Sequence, residues 1–103
     1  MLQYPFIPLV VPEIEPFSFK ENGISGGGSA RVMCTVVSGD TPLNITWFKD
    51  DQPVQKGVQQ LDDFTVILSL PHLSLFDSGN YTCRASNSAG TAVHSSMLKV
   101  KGT

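Results

Sequence analysis

Short runs in which apolar and polar residues alternate recur along the chain. In DSGNYTC, Tyr81 and Cys83 are two positions apart, which is the period of a strand and not of a helix. The runs are rich in Val, Ile, Thr, Phe and Tyr, and stretches with Gly, Asn, Asp and Pro separate them. This pattern predicts an all-β sandwich or barrel with strands near residues 11–19, 30–37, 43–49, 58–61, 64–70, 80–87 and 91–100.

The alternation also assigns an inner and an outer face to each strand. We orient the strands by placing Cys34, Trp47 and Cys83 inward. The positions that then point inward are Ala30, Val32, Val36, Leu43, Ile45, Val66, Leu68, Leu70, Tyr81 and Ala85. Those that point outward are Arg31, Met33, Thr35, Val37, Asn44, Thr46, Phe48, Thr65, Ile67, Ser69, Asn80, Thr82, Arg84 and Ser86.

Length and charge narrow the functional classes. A chain of 103 residues is one domain by its length, and it buries only about two-thirds of its unfolded surface. Its formal net charge of −2 argues against nucleic acid, whose binders usually carry a basic face, and it offers no polybasic patch to anionic membranes. No stretch approaches the roughly 18 apolar residues that span a bilayer.

The first twelve residues, MLQYPFIPLVVP, are apolar but are interrupted by Pro5, Pro8 and Pro12. They lack the basic start of a signal peptide. We therefore expect residues 1–10 to be a lead-in or tag-like segment and residues 11–101 to be a single domain. We interpret the chain as a module excised from a longer protein, with its signal and any anchor outside it.

The two cysteines, Cys34 and Cys83, are compatible with one disulfide and an oxidising compartment. Two thiols alone cannot complete a tetrahedral zinc site. A bridge that closes a loop of about 50 residues would contribute roughly 4 kcal/mol of stability in the chain-entropy model. That amount is a large share of the stability of a small domain.

The sequence carries no pattern typical of catalysis. His72 and His94 are far apart and have no ligand-spaced companions. The three glycines at 26–28 lack the Lys-Ser/Thr that follows in a phosphate loop, so they indicate a flexible turn. Ser, His and Asp occur without a nucleophile signature. We predict that the chain is not an enzyme and uses no cofactor or metal.

A longer motif carries a family resemblance. Cys34, Trp47 thirteen residues later, and LSLPHLSLFDSGNYTCRASNSAG resemble the signature of an immunoglobulin domain of the intermediate (I) set, over about residues 11–101. The further positions that match are Leu68, Leu70, Leu73, Asp77, Gly79, Tyr81, Cys83, Ala85, Asn87 and Gly90.

The resemblance implies an immunoglobulin-like β-sandwich in which a Cys34–Cys83 disulfide joins two antiparallel sheets. Trp47 would pack against that disulfide, and Tyr81 would form a tyrosine corner by hydrogen bonding to nearby backbone. Asp77 would pair with a basic residue, for which Lys56 is the candidate.

A narrower resemblance concerns the first strand and the strand with the tryptophan. VPEIEPFSF and SGDTPLNITWFKDDQPV resemble the Dscam-type (Down syndrome cell adhesion molecule) adhesion proteins of arthropods. Families of this kind are homophilic cell-surface receptors with many isoforms. The resemblance therefore implies an extracellular module that recognises a second copy of itself.

Two outer faces are candidates for recognition. Asn44-Ile45-Thr46 and Asn80-Tyr81-Thr82 are N-glycosylation sequons on the tryptophan-bearing sheet, and a glycan on either would partly shield that sheet. On the opposite sheet we expect a patch that is a partner site, a set of scattered surface residues, or a surface covered by the first strand. Its candidate residues are Met33, Thr35, Val37, Gln60, Asp62, Thr65, Ile67 and Ser69, with Gln59 beside them and with Arg31, Asp62 and Asp63 as specificity determinants.

Three functional hypotheses follow. The first is a homophilic adhesion domain that forms a weak antiparallel homodimer through the patch with Met33 and Ile67. The second is a receptor domain that binds a different protein through its loops or the face with Phe48. The third is a structural spacer like the intracellular immunoglobulin domains of muscle proteins, against which the sequons and the cysteine pair count.

Overall fold

The chain folds into two packed β-sheets in a computed structural model that describes residues 8–102. The strands are β1 (Glu13–Ile14), β2 (Ile24–Ser25), β3 (Ala30–Ser38), β4 (Asn44–Lys49), β5 (Gln52–Pro53), β6 (Val58–Asp62), β7 (Thr65–Leu70), β8 (Gly79–Asn87), β9 (Gly90–Leu98) and β10 (Val100–Lys101), and a 3-10 turn spans Leu75–Asp77. Sheet I has the strand order β1-β3-β7-β6, sheet II has the order β5-β4-β8-β9, and β10 and β2 form a parallel pair. The predicted sandwich of two antiparallel sheets is confirmed, with the parallel pair as an addition.

Side chains alternate between core and surface as their positions in the sequence predict. Along β3, Val32 and Val36 are buried, whereas Arg31 and Val37 are exposed. Burial of the inward positions from both sheets makes one apolar core, which is the main favourable term in folding. Its buried members are Phe19, Ala30, Val32, Cys34, Trp47, Val66, Leu68, Leu73, Tyr81, Cys83, Leu98 and Val100.

The strand predicted over residues 11–19 is divided between the two sheets. Only Glu13–Ile14 pairs with β3, and the chain then crosses to the edge of sheet II. Pro16 has no N–H to donate to a ladder. Beyond it, the N–H of Phe17 approaches His94 Nε2 at 3.2 Å, and the N–H of Phe19 donates to Ser96 Oγ at 3.0 Å. Prediction of one continuous strand was therefore wrong.

The turn after β4 is a tight bend formed by two residues with positive φ angles. Asp50 and Asp51 have φ angles of 48° and 69°, and this tight bend returns the chain as the short strand β5. The Asp50 carboxylate accepts the N–H of Asn80 at 2.9 Å, and the Asp50 N–H donates to the Asn80 carbonyl at 2.9 Å. The turn is thus held against the start of β8.

Gly57 stands where the chain enters β6 and touches the end of β7. Its φ is +82°, and a Cβ added there would lie 2.2 Å from the Ser69 carbonyl oxygen. The carbonyl of Gly57 accepts the N–H of Ser69 at 2.8 Å. Only glycine fits this close approach of two backbones.

Candidate functional site

The centre of the sandwich is a disulfide covered by a tryptophan. Cys34 on β3 is bonded to Cys83 on β8, with their Cα atoms 6.2 Å apart. Trp47 lies directly opposite Cys83 in the β4–β8 ladder and is 0% exposed. Its indole N–H donates to the Val66 carbonyl of the other sheet at 3.2 Å. The implied disulfide is present, and the tryptophan joins the two sheets a second time.

Tyr81 and Asp77 meet at the end of the sandwich near the 3-10 turn. The Tyr81 hydroxyl, in a side chain that is 1% exposed, donates to the Asp77 carbonyl at 2.6 Å, as in a tyrosine corner. The Asp77 carboxylate accepts the backbone N–H of Ser74 at 2.8 Å as part of a capping box. Its hydrogen-bonded partner is therefore Ser74 and not Lys56, because the carboxylate turns back onto its own turn.

Because of the surroundings of Tyr81, we expect the folded chain to lose stability at alkaline pH. Burial, and then the negative charges of Asp77 and Asp50, raise its pKa from 10.0 to about 12. The unfolded phenol ionises near pH 10 and the folded one near 12, so this contribution is complete below pH 10 and is lost as the pH rises to 12. We expect the free energy of unfolding, measured with urea, to fall by about 2–3 kcal/mol over that range.

The Tyr81→Phe variant is the control, because it has no phenol to ionise. It should lose about 1 kcal/mol at neutral pH, since the bond to the Asp77 carbonyl is gone, and show a smaller decline above pH 10. If the free energy of unfolding fell equally above pH 10 for the wild type and Tyr81→Phe, this account would be contradicted.

The candidate recognition residues of sheet I are neighbours on one outer face. Met33 on β3 is the direct cross-strand partner of Ile67 on β7, and Gln59 on β6 follows in the same row. Met33 is 48% exposed and Val37 is 56% exposed. We call this surface the sheet I face, and its residues are Arg31, Met33, Thr35, Val37, Gln59, Asp62, Thr65, Ile67 and Ser69.

The first strand does not cover the sheet I face. Ile14 pairs with Val36 in the ladder, so β1 extends the sheet sideways and leaves the outward side chains of β3 open. Thr35 lies between Met33 and Val37 on β3, opposite Thr65. The two exposed apolar residues of β3 are therefore separated by a threonine row.

Gln60, a predicted interface residue, is exposed but does not lie in the outward row of the sheet I face. It is opposite Val66, whose side chain is buried, and therefore lies in an inward-facing row at the sheet edge. The register shifts between Gln60 and Asp62, and this bulge returns Asp62 to the outer row opposite Thr65. A bulge adds one residue and so reverses the alternation beyond it.

The outer face of sheet II carries two apolar residues that were not predicted as surface features. Val93 and Met97 on β9 are each 63% exposed. Val93 is opposite Arg84, and Met97 is opposite Asn80 of the second sequon. The alternation of β9 contained this information, but no residue of known orientation anchored that strand. Asn44 of the first sequon is also exposed on this face.

At the opposite end of the sandwich, Val10 is hydrogen-bonded to Asp40 and Asn87. Asn87 donates through Nδ2 to the carbonyls of Val10 at 2.7 Å and Asp40 at 3.0 Å. The N–H of Val10 in turn donates to the Asp40 carboxylate at 2.5 Å. Val10, the last residue of the predicted lead-in, is thus hydrogen-bonded to the domain, while residues 1–7 of that segment lie outside the described residues.

Within residues 8–102, no helix is long and apolar enough to cross a membrane. The same residues contain no group of three or more His, Cys, Asp or Glu side chains placed to hold a metal ion.

Four features together define an immunoglobulin domain: the two sheets, the central disulfide, the buried tryptophan and the tyrosine corner. The family model described as "Immunoglobulin domain" matches residues 12–87, and the chain belongs to this family.

The relatives within the family are adhesion proteins. The chain is 41% identical over 97 residues to the cell adhesion molecule Dscam2 of Drosophila melanogaster, covering 90% of this chain and 5% of Dscam2. The solved Dscam1 Ig7 domain, isoform 5, is 32% identical with a TM-score of 0.86, over 88% of this chain and 97% of that one. A titin I-band fragment, I67–I69, is 30% identical with a TM-score of 0.76, over 91% of this chain and 34% of the fragment. The Dscam-type resemblance is confirmed, and the sequence relatives are adhesion molecules, not enzymes.

Proposed function

We propose that this chain is an extracellular domain of a cell-surface adhesion receptor and that it binds a second copy of itself through the sheet I face. Its relative Dscam2 is named as a cell adhesion molecule. The disulfide between Cys34 and Cys83 suits an oxidising, extracellular compartment. The structural likeness favours adhesion over the spacer role of a muscle domain, since the TM-score is 0.86 for the Dscam1 domain and 0.76 for the titin fragment.

The observation that carries the proposal is the cross-strand pairing of Met33 with Ile67. The two side chains are adjacent on the outside of the sheet, where Met33 is 48% exposed and Ile67 is half-buried. Contiguous exposed apolar surface indicates a partner site, whereas isolated apolar residues do not. A methionine side chain also adapts its shape readily to a partner.

The charges at the ends of the sheet I face favour an antiparallel arrangement. Arg31 lies at one end of β3, opposite Ser69, whereas Asp62 lies towards the other end, opposite Thr65. A two-fold axis between Met33 and Thr35 brings the basic end of one copy to the acidic end of the other. Such an interface uses the same surface twice and closes as a dimer. Arg31, Asp62 and the adjacent Asp63 would then reject copies that differ in charge.

The interface is small, so we expect a dissociation constant in the micromolar range for one pair of domains. Adhesion between two membranes would draw its strength from many such pairs acting together. This arrangement allows small changes in one domain to alter recognition strongly.

The test is sedimentation equilibrium of the wild-type chain and of Met33→Asp over a range of concentrations. The substitution places two unpaired carboxylates in the interface, so the dissociation constant should rise at least about tenfold. Met97→Asp is the matched control, because it changes a similarly exposed methionine on the other sheet.

The control protein should associate like the wild type. A wild-type chain that stays monomeric at several hundred micromolar, or equal weakening by both substitutions, would contradict the proposal. The monomeric result would favour the heterophilic hypothesis.

A further inference from the structure

A shallow groove runs along the outer face of sheet II between β4 and β8. Its volume is about 230 Å³, and its lining combines a sequon asparagine, two hydroxyls, an aromatic ring and a guanidinium group. The lining residues are Asn44, Thr46, Phe48, Arg84 and Ser86.

The register shows how these residues are arranged. Asn44 is opposite Ser86, Thr46 is opposite Arg84, and Phe48 is the next outward residue along β4. Outward residues of a strand are roughly 6.6 Å apart, so Asn44 and Phe48 are separated by about 13 Å along the groove. The exposed Asn44 thus stands at one end, and the half-buried Phe48 marks the other.

We propose that Asn44 carries an N-linked glycan and that this groove seats its first N-acetylglucosamine residues. This rests on the extracellular location in the proposed function. In the transfer, Asn44 Nδ2 forms a bond to C1 of an oligosaccharide carried on a lipid pyrophosphate. The bond between C1 and the pyrophosphate oxygen breaks, the amide loses one proton, and the lipid pyrophosphate leaves with the electron pair of that bond.

The groove has the chemistry that a sugar ring requires. The C–H face of a pyranose is apolar and packs on the aromatic face of Phe48. Arg84 is exposed and donates hydrogen bonds to the sugar hydroxyl and acetamido oxygens. The hydroxyls of Thr46 and Ser86 can each donate or accept a hydrogen bond with the sugar. Seating the glycan stabilises the folded chain, because the unfolded chain has no groove.

The second sequon provides an internal comparison. Asn80 is opposite Met97 and does not line the groove. A glycan on Asn80 would project from the face without contacts to the groove residues. Together the two glycans would cover much of the outer face of sheet II, including the surroundings of Val93, and leave the sheet I face free for contact with another protein.

The experiment uses the full chain, secreted from animal cells behind an added signal peptide. Intact mass before and after peptide-N-glycosidase F counts the glycans, and the variants Asn44→Gln and Asn80→Gln assign them. Thermal unfolding then compares treated and untreated samples. With Asn80→Gln, where only the Asn44 glycan remains, treatment should lower the Tm by about 4 °C. With Asn44→Gln, the shift should be absent.

Arg84→Ser in the Asn80→Gln background tests the groove itself, and it should abolish most of the shift. Asn44→Asp, the residue that the enzyme leaves behind, serves as the control for the change in charge. An unmodified Asn44, equal shifts at the two sites, or an undiminished shift with Arg84→Ser would overturn the proposal. Self-association is measured on unglycosylated protein, so its failure is a separate result.

Discussion

Replacing both Cys34 and Cys83 by alanine is expected to lower the free energy of unfolding by about 4 kcal/mol. The bridge joins residues 49 positions apart in the chain, and its loss gives the unfolded state the conformational freedom of that loop. A domain of this size has a total stability of roughly 5–15 kcal/mol, so the variant should be close to unfolding. Urea unfolding of both proteins at neutral pH measures the difference.

Reduction of the wild-type protein is the matched control for the double alanine variant. The reduced protein retains the two sulfur atoms and loses only the bond, so its loss of stability isolates the effect of the closed loop. Thiol titration should find free thiols only after reduction, since the structure contains no free cysteine among its described residues. A decrease below about 1 kcal/mol in both samples would show that the loop contributes little.

Trp47→Ala should cost about 3–5 kcal/mol of unfolding free energy, because it empties the largest buried site. The indole has the Phe17 ring 5.0 Å away in an edge-on contact, and its N–H holds the Val66 carbonyl of the opposite sheet. An alanine at this position would make neither the contact with the Phe17 ring nor the hydrogen bond to the Val66 carbonyl. The measurement is again urea unfolding, with the slope of the transition checked for two-state behaviour.

Two further variants separate the contributions of the indole. Trp47→Phe keeps an aromatic ring and loses the N–H, so its cost should be clearly smaller than that of alanine. Phe48→Ala removes the next residue of β4, which is only half-buried on the outer face, and should cost less again. If Phe48→Ala were as damaging as Trp47→Ala, the account of the core would be wrong.

The residues that identify the fold are different from those proposed to act. Trp47, Tyr81 and the two cysteines are buried between the sheets and touch no partner. The proposed self-recognition uses the outward residue Met33, and the proposed glycan contact uses the outward residue Arg84. Because many functions occur on one fold, the outer faces must be argued from their own chemistry.

Prediction from the sequence succeeded wherever a strand kept a strict period of two. The orientation of β3 follows from Cys34 alone, and the Met33–Ile67 pairing agrees with it. It did not reveal the inward row of Gln60, because a bulge is not visible in the order of apolar and polar residues. It also failed after Pro16, where one stretch of alternating apolar and polar residues leaves one sheet for the other.

The sequence by itself determined the fold class, the inner and outer sides of most strands, and the cysteines and tryptophan at the centre, because alternation and burial are local properties. Only the tertiary structure decided which residues meet across strands. It placed Gly57 against Ser69, aligned Asn44 with Arg84 and Phe48 in one groove, and moved Gln60 off the sheet I face. These contacts depend on strand register and bulges, which are set by the packing of residues distant in the chain.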